Sequence, residues 1–560
     1  MTRLSVFPRR AVAAAGALTI LSLAAALDGR AQTTFGSITG NVTDANGAIV
    51  AGATIEATHV RSNYRYTARS NEVGNFTLPQ LREGEYTLRA TATGFREFVA
   101  QNILLASREE RRVDIQFQIG PVESRVEVTA GATLIETDTA RIGDSKNAVA
   151  LKSLPLNTRN LYEFLALTPG VLAAGGGQAT RRFAGSRVNQ SEQSIDGITV
   201  SNGFDGTQIS PLVSYVESYE EVRVDMANNS ADIGAVGQVT IISKSGGNEL
   251  HGAVFDYYST PWFRARNPFA AQRGAGVRHQ PGGAIGGPIV IPKLYDGHNR
   301  SFFFFSFETS RGSDVLQLLN PTVPLASWRA GDFSNLTTPI RNPFNNNQPF
   351  PGNRIPDNLI NPVSKKIQER FYPLPNFGDP NALVAQNYRE QKSRPFDPNT
   401  YYTIRLDHRF SEASFIFGRW TWNRSYSRDF EANLPTIGQR WQTRDTRAFN
   451  LSYTHSLRPN LVSESRWGFA WNDNPRHGPL LGKEVVQFLG ITGLANNLPD
   501  INGLLDVQFQ GLGITRVTQT QWRHPGFLNF AQQWQQHLNW YRGRHSLKSG
   551  FALSRVRFED

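Results

Sequence analysis

No cysteine occurs in the 560 residues, which excludes disulfides, a thiolate nucleophile and any Cys-ligated metal, and leaves burial and strand pairing to hold the chain together. After the N-terminal 31 residues no apolar run approaches the roughly 20 residues that a membrane-spanning helix needs, and mean hydropathy is slightly negative. Any crossing of a bilayer must then use alternating strands, which expose apolar side chains on one face only. None of the ten histidines opens a His-x-x-Glu or His-Glu-x-x-His pattern, the spacings that hold a catalytic zinc and its general base. The chain reads as a non-enzyme with no cofactor. Tryptophan is absent from the first 261 residues: all ten lie beyond Pro261.

Lys and Arg exceed Asp and Glu by 58 to 47, a net charge of +11. The basic residues are dispersed, and the one short run, Arg108 to Arg112, is interrupted by Glu109 and Glu110. That argues against a nucleic-acid partner. On an outer-membrane surface such residues could meet lipopolysaccharide phosphates.

The N-terminus is an export signal. Arg3, Arg9 and Arg10 precede an apolar stretch over residues 11–27, and Gly29-Arg30-Ala31 supplies small residues for cleavage after Ala31.

From residue 35 to about 120 short alternating strands are divided by Gly and Asn/Asp turns: 37–42, 53–58, 64–70, 76–78 and 86–92. Val113, Ile115, Phe117 and Ile119 then alternate with Asp114, Gln116 and Gln118, the mark of a half-buried strand. The pattern predicts a small β-sandwich. Its motifs, Gly40-x-Val42-x-Asp44-x-x-Gly47, Gly52-Ala53-x-Ile55, Gly74-x-Phe76, Gly84-x-Tyr86-x-Leu88 and Gly94-Phe95, resemble the carboxypeptidase regulatory-like domain. That resemblance implies a transthyretin-like fold and an accessory role, with carbohydrate binding as a further expectation.

Past Pro121 the pattern changes. Ser124-Arg125-Val126-Glu127-Val128-Thr129-Ala130 alternates Val with charge; it could be a last sandwich edge or a linker, and it also resembles the TonB box, the extended segment that outer-membrane receptors offer to an inner-membrane energy-coupling protein by strand addition. Leu154-Pro155-Leu156-Asn157 leads into a short predicted helix with Asn157 or Thr158 as N-cap, Leu161, Phe164 and Leu165 on one face and Pro169-Gly170 as its stop. With Ser194-Ile195-Asp196-Gly197-Ile198 and the stretch over residues 216–224, this resembles the plug of TonB-dependent receptors. Gly175-Gly176-Gly177 lacks a following Lys-Ser/Thr and is no phosphate loop. Asp196, Glu220, Glu221 and Arg223 are candidates for ion pairs between plug and barrel wall, or equally for solvated turn residues.

From Glu249 onwards aromatic, alternating segments recur. Leu451, Tyr453, His455 and Leu457 share one face, and Leu461, Trp467, Phe469 and Trp471 another; Ile404, Leu406 and Phe410 with Ile416, Trp420 and Trp422 form a candidate hairpin, and Trp534, Leu538 and Trp540 pair with Leu547, Phe551 and Leu553. Spanning strands need roughly 9–11 residues with this alternation and interfacial aromatics. Residues 312–399, rich in Pro and Asn, read as an extracellular loop without strand periodicity. The junction over residues 243–252 and the Gly-rich segment 282–289 resemble the Oar-like subgroup of TonB-dependent transporters.

The expected fold is mainly β: signal peptide 1–31, a transthyretin-like β-sandwich 32–120, a TonB-box-like segment with an α+β plug 121–248, and part of an antiparallel transmembrane β-barrel 249–560, whose end after Asp560 suggests a truncated barrel. The resemblance implies a TonB-dependent outer-membrane receptor for a glycan or peptide solute from outside the cell, with a TonB-like energy-coupling partner and a periplasmic N-terminal domain. The alternative is a structural or adhesion protein of the same architecture without uptake.

Overall fold

The computed structural model describes residues 34–120, 125–129, 141–154, 159–173, 181–188, 190–201, 209–213, 215–230, 233–266, 276–480, 482–493, 506–509, 512–519, 528–542 and 545–559. The export segment with Ala31 lies outside these residues, as do Ser124, Ala130, the expected cap positions Asn157 and Thr158, and Gly175 to Gly177.

The N-terminal domain consists of two sheets. One orders Asn75–Leu81, Gly36–Thr43 and Glu110–Arg112, with Ile115–Gln116 also on Gly36–Thr43; the other orders Arg65–Arg69, Thr54–His59, Gly84–Thr91, Glu97–Leu105 and Arg125–Thr129. Alternate residues of both sheets meet in one core, Ile38, Val42, Phe76 and Leu78 against Ile55, Ala57, Leu88 and Phe98. Each fully buried Val, Leu, Ile or Phe among them contributes about 1.5–3 kcal/mol. Two sequence expectations need correction. Glu97–Leu105 is a full strand that the alternation test misses, because Phe98, Val99 and Ala100 are buried in succession and the pairing slips between Tyr86 and Leu88 where Asn102 takes a positive φ, a bulge that breaks the period of two. Conversely, of residues 113–119 only Ile115–Gln116 is strand.

A middle domain follows, with a five-stranded sheet ordered Ile142–Asn147, Tyr219–Ala227, Gly237–Ser243, Ser191–Ile195 and Ile198–Thr199. The helices Ala148–Ser153 and Leu161–Leu165 lay Leu151, Leu161, Phe164 and Leu165 on Val222, Val224, Val239 and Ile241. The second helix starts later than expected: its N-cap is Asn160, whose side chain accepts the Tyr162 N–H.

Among the described residues the largest sheet has eleven strands. Its path runs His251–Asp256, Pro281–Pro288, Ser301–Gly312, Asn399–Ser411, Ser414–Phe430, Gln439–Arg458, Leu461–Asp473, Leu528–Arg542 and His545–Glu559, each antiparallel to the next. The two outermost strands do not pair with each other among the described residues, so the sheet is open. The register sets Leu451 opposite Trp467 and Phe449 opposite Phe469; facing residues of neighbouring strands share a side, so the two aromatic rows are one face and not two.

Connections at one end include the two-residue turns Glu412-Ala413, Pro459-Asn460 and residues 543–544, with residues 289–300 the longest there; at the other end they run through residues 257–280, 313–398, 431–438 and 474–527. Residues 312–399 are not featureless as the sequence suggested. They carry the hairpin Val315–Leu319 with Glu390–Arg394 and the helix Pro362–Phe371, capped by Asn361. Val323, Leu325, Trp328, Ile367 and Phe371 form a core with Leu434, Ile437, Val485, Leu489 and Val517 from two other loops. No periodicity betrays a core assembled from three separated segments.

Candidate functional site

The large sheet inverts the usual rule of burial. Charged and polar side chains on alternate positions are buried, among them Arg405, Asp407, Arg419, Thr421, Asn450, Ser452, Glu464, Arg466 and Gln535, while their neighbours Ile404, Leu406, Trp420, Leu451, Trp467 and Trp534 are exposed. An apolar outer face with a polar inner face is what a sheet surrounded by lipid and lined by water or protein requires. The middle domain occupies the inner face. Ser218 and Ser306 share a hydrogen bond at 2.6 Å and Tyr219 and Tyr401 one at 2.8 Å. Asn450 donates to the Asp196 carbonyl, Gln535 to the Gly197 carbonyl and Tyr215 to the Asn399 carbonyl.

Asp196 is central to this contact. It opens the two-residue turn between Ser191–Ile195 and Ile198–Thr199, and both Asp196 and Gly197 have positive φ, as a type I′ hairpin turn demands. Its carboxylate accepts from the N–H and hydroxyl of Ser243 and faces Arg419 at 2.7 Å and Arg405 at 3.7 Å on the large sheet. Arg405 also pairs with Asp407 at 2.9 Å, and Asp407 with Arg82 of the N-terminal domain at 3.2 Å. Five buried charges thus tie three domains together. Burial makes each ion costly and the pairing obligatory.

The other three candidates go elsewhere. Glu220 pairs with Arg61 of the N-terminal domain at 2.6 Å. Glu221 accepts from the Ser107 N–H and the Ser145 hydroxyl, and Arg223 lies 2.9 Å from Asp225 on its own strand. Glu220 and Glu221 thus meet Arg61 and Ser107 of the N-terminal domain and not the wall; neighbours on a regular strand would point to opposite faces, but the pairing of Tyr219–Ala227 shifts between Tyr219 and Glu221, an irregularity that breaks the alternation there. Burial raises the Glu221 carboxyl pKa to about 7, against which the hydrogen bonds from Ser145 and Ser107 act. His59, in the same region, is lowered to about 3 by burial and by Arg82 and Arg61.

The N-terminal domain sits at the short-turn end. Arg409 donates to the Arg65 carbonyl and Tyr64 to the Arg300 carbonyl, and Arg108 approaches Asp225 at 3.4 Å. The box-like segment joins this domain as its edge: Arg125–Thr129 runs parallel to Glu97–Leu105, with Val99 opposite Glu127 and Gln101 opposite Thr129. Of the three readings of its sequence, sandwich edge, linker or TonB-box-like segment, the first describes its position in the structure.

Sequence reasoning missed Arg82, Arg405, Asp407 and Arg419. A usable signal existed for the wall residues: Arg405 and Asp407 sit at every second position of a strand whose other positions include Ile404 and Leu406. Among the described residues, no group of three or more His, Asp or Glu is placed to hold a metal ion.

An inner face of buried charge, an outer face of aliphatic and aromatic side chains, and a domain seated against the first define a class, the membrane-embedded barrel proteins with an internal domain. Residues 242–560, more than half of the chain, match the outer membrane beta barrel domain family, and residues 37–118 match the carboxypeptidase regulatory-like domain. The chain belongs to the outer-membrane β-barrel family. It is 23% identical over 278 residues to the TonB-dependent transporter Oar of Myxococcus xanthus, covering 46% of this chain and 26% of that protein. In fold it is similar to the outer membrane transporter YddB of Escherichia coli (9% identity, TM-score 0.43, 74% of this chain and 48% of that one) and to the siderophore receptor PirA of Acinetobacter baumannii (14%, 0.39, 75% and 48%). The chain spans about a quarter of the length of the curated relative and about half of these structures.

Proposed function

We propose that the protein is a TonB-dependent outer-membrane receptor and transporter. The middle domain is its plug, the short-turn end faces the periplasm together with the N-terminal sandwich, and the long loops face the exterior, where the solute, a glycan or peptide, is first captured. The outer face meets membrane lipid, with lipopolysaccharide beside the loops. The observation that carries this reading is the seating of the middle domain on the inner face through polar contacts, Asp196 with Arg405 and Arg419 above all. A polar interface can be separated and rewetted in a way that an apolar core cannot, since its groups find water as alternative partners.

In this reading the energy for transport comes from a partner. Arg125–Thr129 is the segment that a TonB-like protein takes up by strand addition; at rest it is stored on the edge of the sandwich. The test is capture of the detergent-solubilised protein by the periplasmic domain of a TonB-type protein. Deleting Arg125–Thr129 should abolish capture while the outer-membrane level of the protein stays unchanged. Equal capture with and without the segment would remove it as the coupling site.

A further inference from the structure

Gly418 lies inside the long strand Ser414–Phe430, on the outward row with Ile416 and Trp420. A glycine within a strand weakens it, and marks a bulge or the close approach of another group. The pairing on both sides runs through Gly418 in register, so no bulge requires it. Nor is it crowded by the protein: a Cβ there would meet Leu451 Cδ1 at 3.8 Å and the Asn450 carbonyl oxygen at 3.9 Å, ordinary contact distances, as its nearest neighbours among the described residues. Gly468, on the inner face, is the contrast. A Cβ there would stand 2.9 Å from Ile198 of the middle domain, so its lack of a side chain is accounted for within the chain.

At Gly418 the lack of a side chain leaves a groove of about 530 Å³ on the outer face, within the roughly 300–1,000 Å³ of small-molecule sites. Leu406 and Leu451, opposite Gly418 on the two neighbouring strands, line it together with Ile416. Towards the short-turn end its lining changes character. Ile416 is opposite His408, and His408 is opposite Ser301. The connection over residues 289–300 borders the groove there through Ile289 and Tyr295. The Tyr295 hydroxyl lies 2.6 Å from Ser301 Oγ, which lies 2.6 Å from His408 Nδ1. The groove is thus apolar along its length and polar at one end.

The same connection forms the hairpin of Val290–Ile291 with Tyr295–Asp296, which exposes Val290, Ile291 and Leu294 beside an exposed Lys293. Apolar side chains next to a cation suit the headgroup region of a membrane, where a lysine stem lies along apolar surface and its ammonium reaches phosphate. The rest of the groove faces hydrocarbon. Burying an acyl chain against leucines gains nothing there from the hydrophobic effect, because lipid tails are as apolar as leucine. Shape and a polar end at headgroup depth are what distinguish a bound lipid from a passing one.

We propose that the groove binds one phospholipid, with an acyl chain lying over Gly418 and the phosphate at the end marked by Tyr295, His408 and Lys293. The orientation proposed above makes this a lipid of the periplasmic leaflet; nothing else in the inference rests on transport.

The test is native mass spectrometry of the full-length protein in detergent, titrated with dioleoylphosphatidylglycerol and, separately, with dioleoylglycerol, which has the same chains and no phosphate. The wild type should retain one phosphatidylglycerol and no dioleoylglycerol. Gly418→Leu fills the groove from an unstrained backbone position and should need at least about tenfold more lipid for the same occupancy, while its thermal midpoint without lipid stays or rises. Gly418→Ala adds one carbon at an ordinary contact distance and should fall between the two. No lipid retained by the wild type, or equal occupancy in the wild type and both variants, overturns the site. Equal retention of dioleoylglycerol would overturn the phosphate contact, and a preference for lipopolysaccharide would overturn the assignment to a phospholipid. Capture by a TonB-type domain involves neither Gly418 nor lipid, so its failure would sink the transport reading and leave the groove standing.

Discussion

The carboxylate of Asp196 lies 2.7 Å from the Arg419 guanidinium, across the interface between the middle domain and the wall. Asp196→Asn keeps the shape of the turn and removes the charge, leaving Arg419 buried beside a neutral amide. Removing one partner of a buried pair costs about 3–5 kcal/mol, and the lower end applies because Asp407 still neutralises Arg405. In detergent, the middle domain of D196N should become protease-accessible at a lower urea concentration than that of wild type. An unchanged threshold would mean that the pair does not hold the two together.

Gly197 makes a second, independent demand. Its φ is +82°, and a Cβ there would run into the Arg466 guanidinium. Gly197→Ala should therefore destabilise the seated domain by roughly 1–3 kcal/mol from the backbone conformation, with a further cost from the displaced Arg466. The same protease assay measures it, and Gly185→Ala, where φ is also positive but the site is open, separates the backbone contribution from the clash.

The place of Arg125–Thr129 on the sandwich edge, and its proposed role in coupling, are testable because the chain has no cysteine of its own. Gln101→Cys with Thr129→Cys puts the only two thiols at facing positions of Glu97–Leu105 and Arg125–Thr129. The pair should oxidise to an intramolecular disulfide in the resting protein, and the oxidised form should lose capture by the TonB-type domain until it is reduced. Capture of the oxidised form at the wild-type level would show that the segment is taken up elsewhere.

The pH response of the docked domains follows from Glu221. Its carboxyl is raised from 4.5 to about 7 in the folded protein by burial, so between those values the folded state holds a proton that the unfolded chain has released. Its contribution to stability is present below about pH 4.5 and is lost as pH rises through 7. His59, lowered to about 3, acts oppositely: its contribution is present above 6.5 and is lost as pH falls towards 3. The two partly cancel in the wild type. Glu221→Gln isolates one of them: the gain in thermal midpoint of the variant over wild type should grow between pH 5 and pH 8, and a pH-independent difference would contradict the burial argument.

The wall was legible because a strand between lipid and a polar interior must alternate; Leu451, Tyr453 and Leu457 declare that face in the sequence, as Trp467 and Phe469 do on the partner strand. The Asp196-Gly197 turn was legible from its residue types. What stayed hidden was long-range. Nothing near Arg82 marks it as the partner of Asp407, 325 positions later, and nothing in Arg125–Thr129 fixes which sheet edge it joins, because strand addition is read through the backbone and is loose in side chains. For Glu220 and Glu221 the sequence leaves wall pairs and solvated turn positions equally open for the same reason: their spacing says they are charged neighbours on a strand, and only docking decides what each meets.

If the middle domain is a plug moved by an energised partner, its seat on the wall must open during transport. Ser218→Cys places a single thiol at the buried contact with Ser306, and its labelling rate by a membrane-impermeant maleimide can be followed in intact cells. Energised cells should show labelling that falls to background when Arg125–Thr129 is deleted or the proton-motive force is collapsed. Equal labelling under all three conditions would contradict it.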